Sequence, residues 1–162
     1  MRKHWLSLNL TRTINVSLTI PVSNIKLWSH IADWESQGDW MLQTKVWVTS
    51  SIRDGVGTSI AAFTGPLYKF YPKFSKFGLL DLMTVTQWNP PHSCDVIHNG
   101  AIVKGTGRFE LIEIAPNKTQ FNWSETVVIP RALLFLAIPL LWAVKIGVII
   151  SLRRLRSKAM SA

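Results

Sequence analysis

Residues 79–129 read LLDLMTVTQWNPPHSCDVIHNGAIVKGTGRFELIEIAPNKTQFNWSETVVI. Apolar and polar residues alternate through LLDLMTVTQW (79–88), HSCDVIHN (92–99), VKGTGRFELIEI (103–114) and TQFNWSETVVI (119–129). A period of two marks a strand with one buried face. NPP (89–91) and APNK (115–118) are turn formers, and the third run is broken by its glycines. Strands in succession joined by short turns pair antiparallel, because a parallel pair needs a long crossover. The stretch therefore predicts an antiparallel meander.

Working outward, KVWVTSSI (45–52), the turn RDGVG (53–57) and TSIAAFTG (58–65) predict two further strands, with PLYKFYPKFSKFG (66–78) as a loop. Arg12 to Ile20 alternates as an opening strand, stopped by Pro21. Behind it, Ile25, Trp28, Ile31 and Ala32 recur at helical spacing, with Ser23 as N-cap. ESQGDWML (35–42) predicts a second short helix. Pro130 opens a long apolar helix over about residues 131–158, containing ALLFLAIPLLWAVKIGVII (132–150). One helix left to cover collected strands gives an α+β class. The predicted architecture is a curved antiparallel sheet of six to seven strands wrapped around the C-terminal helix, with two short helices after the first strand, in a single domain over residues 1–162.

Composition excludes several classes. With 48% hydrophobic and 17% charged residues, the chain is not intrinsically disordered. Its 18 Lys and Arg against 9 Asp and Glu, a net charge of +9, favour anionic partners. The single cysteine, Cys94, cannot form an internal disulfide and fits a reducing compartment. The basic start is interrupted by Arg12 before a secretory core could form, so no signal peptide is expected. The expected location is the cytoplasm, with peripheral contact at the inner membrane face as an alternative. In the last helix, Pro139 and Lys145 oppose a membrane span, the lysine by roughly 2.5–3.5 kcal/mol. Arg153, Arg154, Arg156 and Lys158 follow it, which suits a helix that covers a sheet or rests on an anionic surface.

The order of elements resembles the helix-grip fold of the SRPBCC superfamily, which includes START lipid-transfer domains, birch-pollen-allergen-type proteins and polyketide cyclase/dehydrase-like proteins. The resemblance rests on IPVSNIKLWSHIADWESQGDWM (20–41), GVGT (55–58), TQWNPPHSCDVIH (86–98), GTGRFELIEIAPNKTQFNWSE (105–125) and the closing SLRRLRS (151–157). It implies a sheet gripping the last helix around an internal cavity. It also implies a lipid-, sterol- or polyketide-like ligand, with no metal or nucleotide cofactor. Carriers, sensors and enzymes share this fold, so it does not fix an activity.

Alternation assigns the inward residues. Asp81, Met83 and Val85 share one face, as do Cys94, Val96 and His98; Phe121, Trp123, Glu125 and Val127 do likewise. Asp81, His98 and Glu125 are thus expected to form a small polar group in an apolar pocket. Apolar walls raise carboxyl pKa values and a histidine titrates near neutrality, which suits either acid–base chemistry or anchoring of a ligand hydroxyl. Anchoring is the leading expectation; a cyclase/dehydratase-type enzyme using these residues is the alternative. Phe109 and Leu111 are expected to line the same pocket, with Leu141, Val144 and Val148 facing it from the last helix. Trp28, Trp34 and Trp40 are candidates to roof its mouth.

Other signals are thinner. Cys94 and His98 lie four apart in a strand, roughly 13 Å, too far to share a metal ion or to act as a nucleophile pair. GVGT and GTG read as turn glycines, since neither precedes a helix as a phosphate cradle would. Aromatics and lysines interleave in the 66–78 loop, which is expected first as a lid over the cavity and second as a contact with anionic lipid. Nucleic acid is not expected, because no recognition motif accompanies the charge. Leu134, Ala137, Leu141, Val144, Val148, Leu152, Leu155 and Ala159 make an inward stripe along the last helix; Leu140, Trp142, Ile146 and Ile149 fall outside it and need cover from lipid, a homodimer partner or the 66–78 loop.

Overall fold

A computed structural model describes residues 9–130 and 134–161. The segment read for a signal peptide, residues 1–8, and the expected first turn of the last helix, 131–133, lie outside the described residues. Seven strands form one antiparallel sheet: β1 (Asn9–Ile20), β2 (Thr44–Val48), β3 (Ser59–Thr64), β4 (Leu79–Asn89), β5 (Ser93–His98), β6 (Gly105–Ala115) and β7 (Lys118–Pro130). Their order across the sheet is β1-β7-β6-β5-β4-β3-β2, so the six strands after the short helices run as the expected meander. Pro130 ends β7, opposite Asn9.

Two short helices follow β1: α1 (Asn24–Ala32) and α2 (Gln37–Trp40). Ser23 caps α1, its hydroxyl accepting the Lys26 backbone N–H at 3.3 Å. The buried face of α1 is Asn24, Leu27, Trp28 and Ile31. Ile25, expected inside, is exposed, because the buried face is centred on Leu27, Trp28 and Ile31 and Ile25 lies about 110° round the helix from it. A single 3₁₀ helix (Pro72–Phe77) sits in the 66–78 loop and buries none of its residues. The long helix α3 (Leu134–Ser161) completes the helix-grip arrangement.

The concave face of the sheet is filled unevenly. At one end α1, α2 and the second half of α3 close it with Val148, Leu152, Leu155 and Ala159, packed into one core with Ile20, Leu27, Trp40, Leu111 and Phe121. Each large side chain fully buried there stabilises the fold by about 1.5–3 kcal/mol. The first half of α3 does not seal its end: Leu141 is half-buried and Val144 is 40% exposed, although both belong to the predicted inward stripe. The side chain of Leu134, which begins that stripe, lies outside the described residues. Among the described residues no helix is long and apolar enough to cross a membrane.

Candidate functional site

Cross-strand pairing places the site. On β4, Met83 stands opposite His98 of β5, and Asp81 lies two residues further along the same face. On β7, Glu125 stands opposite Gly107 of β6, which in turn faces Val96 of β5. His98 therefore reaches Glu125 only by passing over β6. Two glycines clear that path. Gly105 faces His98 and Gly107 faces Glu125, so no side chain stands between them. A Cβ on Gly107 would lie 3.0 Å from Glu125 Oε2 and 3.3 Å from His98 Nε2. Gly105 has φ +145°, and a Cβ there would lie 1.8 Å from the Thr126 carbonyl oxygen, so no other residue fits. The GTG glycines thus belong to β6, Gly105 as its first residue and Gly107 within it, and are not turn formers.

The three residues expected to group together do so. His98 Nδ1 donates to Asp81 Oδ2 at 2.7 Å. His98 Nε2 lies 2.8 Å from Glu125 Oε1, within ion-pair distance but off hydrogen-bond alignment. Trp123 Nε1 donates to the other Glu125 oxygen, Oε2, at 3.0 Å. The His98 side chain is 1% exposed, against about a fifth for each carboxylate, 19% for Asp81 and 20% for Glu125. Burial drives the imidazolium pKa down. The hydrogen bond to Asp81 and the negative charges of Asp81 and Glu125 outweigh it and push the value up to about 10. His98 is therefore a fixed cation at neutral pH, and not the near-neutral titrating group its residue type suggested. Asp81 Oδ1 is buried and accepts no hydrogen bond among the described residues.

The remaining candidates divide into two sets. Met83, Val96, Phe109 and Trp123 share the concave face with the cluster and are only half-buried. Leu141 and Val144 belong to the unsealed half of α3. Val85, Leu111, Phe121 and Val148 are buried in the solid core instead. So are Trp28, Trp34 and Trp40, at 8%, 5% and 1% exposure, which places them inside the core and not over a mouth. Trp88 escaped the sequence reading. Val85 pairs with Val96 and Gln87 with Asp95, so Thr86 is an extra residue in β4. That bulge reverses the alternation and turns Trp88 inward onto Trp28, 4.9 Å away, and Trp34, 5.8 Å away.

Cys94 is buried, and burial, with Asp95 beside it, pushes its thiol up to about 12. Two clefts are present elsewhere. One of about 190 Å³ lies between Trp34, Val48 and Arg53; the other, about 340 Å³, is lined by Asp95, Arg108, Ser124 and Thr126. Neither is lined by His98, Asp81 or Glu125.

No protein-family model matches the chain, and no curated protein matches it in sequence. Solved structures match it in fold. The protein TTHA0849 of Thermus thermophilus superposes with a TM-score of 0.73 at 12% identity, covering 93% of this chain and 98% of its own. The Zhui aromatase/cyclase of Streptomyces sp. R1128 gives 0.68 at 13% identity over 93% of this chain and 94% of its own. Ara h 8.0201 gives 0.65 at 13% identity, with coverage of 94% and 99%. The chain has the helix-grip fold, as its sequence pattern implied.

Proposed function

We propose that the protein binds a hydrophobic small molecule, lipid-, sterol- or polyketide-like, against the open half of the concave face, as a carrier or sensor. The observation that carries this reading is the buried Asp81–His98–Glu125 cluster set in an apolar wall that the helix leaves unsealed. Met83, Val96, Phe109 and Trp123, half-buried at the edge of the core, supply apolar contact. Both His98 nitrogens face carboxylates, so the cluster offers oxygen acceptors and no free donor. Asp81 Oδ1 is the acceptor without a partner. The ligand class that suits it is an apolar body with one hydroxyl or ammonium donor.

A cyclase/dehydratase-type reaction at the same residues is the second reading, supported by likeness of fold to an aromatase/cyclase. The imidazolium weighs against it, because a histidine held protonated up to about pH 10 is not available as a general base near neutrality. Native mass spectrometry of detergent-free protein, followed by organic extraction, tests the binding reading. The expected result is one bound apolar molecule per chain, lost from the Asp81→Leu/His98→Leu/Glu125→Met variant. A wild-type protein that retains neither a native ligand nor an added fluorescent fatty acid overturns it.

A further inference from the structure

The sheet register brings three segments to one end of the molecule. β3 ends at Thr64 opposite Leu79, where β4 begins, and the 65–78 loop joins them. His98 ends β5 opposite Gly105, so the 99–104 loop leaves from that same end. Val127 pairs with both Gly105 and Arg12, so β7 also finishes there, just before α3. All three segments present apolar side chains to the outside. In the first half of α3, Phe135 is 72% exposed and Trp142 63%, with Ile138, Leu140 and Ile146 exposed beside them. In the first loop Phe70, Tyr71, Phe74 and Phe77 are exposed, and in the second Ile102. The aromatics stack on one another, Tyr71 on Phe74 and Phe74 on Phe77, instead of folding inward as a lid would. A helix half with this much exposed apolar surface belongs in a core or in lipid, and among its described side chains only Ala137 is buried.

Charge decides the occupant. Residues 65–80, 99–104 and 126–161 contain no aspartate or glutamate. Lys73, Lys76, Lys104 and Lys145 make no ion pair among the described residues. Lys69 is different, its ammonium turned back onto the Gly38 and Met41 carbonyls. A second copy of this surface would set like charges against each other, whereas anionic headgroups would neutralise them while the aromatics enter the acyl boundary. We infer that this end of the molecule docks on an anionic phospholipid bilayer, through the first half of α3 and the 66–78 loop. Lys158 plays a lesser part, since it is engaged by Asp39 at 2.7 Å. The cluster of Asp81, His98 and Glu125 lies at this same end, so a docked molecule would take its ligand directly from lipid. That last step rests on the binding reading above, but the docking does not.

Flotation of the full chain with vesicles of phosphatidylcholine alone, and of equal parts phosphatidylcholine and phosphatidylserine, tests the inference. The expected result is binding to the mixed vesicles only. Leu140→Gln/Trp142→Gln and Lys73→Glu/Lys76→Glu should each weaken it on the order of tenfold or more with unchanged melting temperature, all four positions being exposed. Equal binding to both vesicle types, no binding to either, or variants that bind like the wild type overturns it. So does sedimentation showing a dimer that the Leu140→Gln/Trp142→Gln variant dissociates. Because the readout is lipid association, loss of docking and loss of ligand retention are separate outcomes.

Discussion

Gly107 of β6 stands directly opposite Glu125 of β7, and a methyl group in place of its hydrogen would lie 3.0 Å from the Glu125 Oε2. The same methyl would lie 3.0 Å from a Val96 methyl carbon and 3.3 Å from His98 Nε2. The glycine is what lets an imidazole on one strand meet a carboxylate two strands away.

Gly107→Ala is therefore expected to push Glu125 off His98 and to cost about 1–2 kcal/mol through overpacking. The His98 pKa should fall from about 10 toward 6.5, because one of its two counter-charges has moved. Imidazole proton or carbon shifts followed by NMR against pH would show this. An unmoved titration would mean the carboxylate repositions without losing the contact.

Removing the histidine alone should hurt more than removing the whole cluster. His98→Leu leaves two carboxylates aimed at an apolar side chain, which for buried ion pairs costs about 3–5 kcal/mol. The lower end is expected, since Asp81 and Glu125 each retain about a fifth of their exposure, 19% and 20%. The Asp81→Leu/His98→Leu/Glu125→Met variant strands no charge and should melt nearer the wild type. Urea denaturation of the two variants checks the order, and the reverse order would mean that the cluster holds the fold together.

Cys94 should be inert while the protein is folded. It is buried and its thiol is held at about 12, so almost no thiolate forms near neutrality. A disulfide-exchange reagent should label it in denaturant and leave it untouched in buffer. Rapid labelling of the native protein would show that the core around Trp88 opens readily.

The fold was legible in the sequence because each strand has one buried face, and a period of two survives even where single residues are ambiguous. Asp81, His98 and Glu125 were legible as a group for the same reason, their faces being fixed by their own strands. Trp88 was hidden by the Thr86 bulge, since one added residue reverses every later side chain. Gly105 and Gly107 were hidden because a glycine that clears a path looks like one that makes a turn. The unsealed half of α3 could not be read either: Leu141 and Val144 continue the same stripe as Leu152 and Leu155, and only tertiary packing tells the covered half from the bare one.

That difference along α3 predicts two unequal substitutions. Leu155 is 0% exposed and Leu140 62% exposed, although both are helical leucines. Leu155→Ala should cost about 2–5 kcal/mol through lost burial and a residual cavity. Leu140→Gln should change stability by less than about 0.5 kcal/mol, since glutamine is a good helix former at an exposed position. Thermal denaturation of the two variants is sufficient, and a large loss at Leu140 would show the first half of the helix packed in solution.

The imidazolium makes stability depend on pH in one direction. Its folded pKa, about 10, lies above the unfolded value of 6.5. The folded state thus binds the proton more tightly, and the stabilisation is fully present below about pH 6.5. As pH rises from 6.5 through 10 it is lost, because deprotonation leaves a neutral ring between two carboxylates. The loss expected across that window is on the order of a few kcal/mol. Chemical denaturation at intervals from about pH 6 to about pH 10.5 measures it. The Asp81→Leu/His98→Leu/Glu125→Met variant, which lacks the imidazole, supplies the reference curve. The wild type should fall relative to that variant as pH rises. Parallel curves would mean that His98 is neutral in the fold, and the imidazole would then be available for proton transfer.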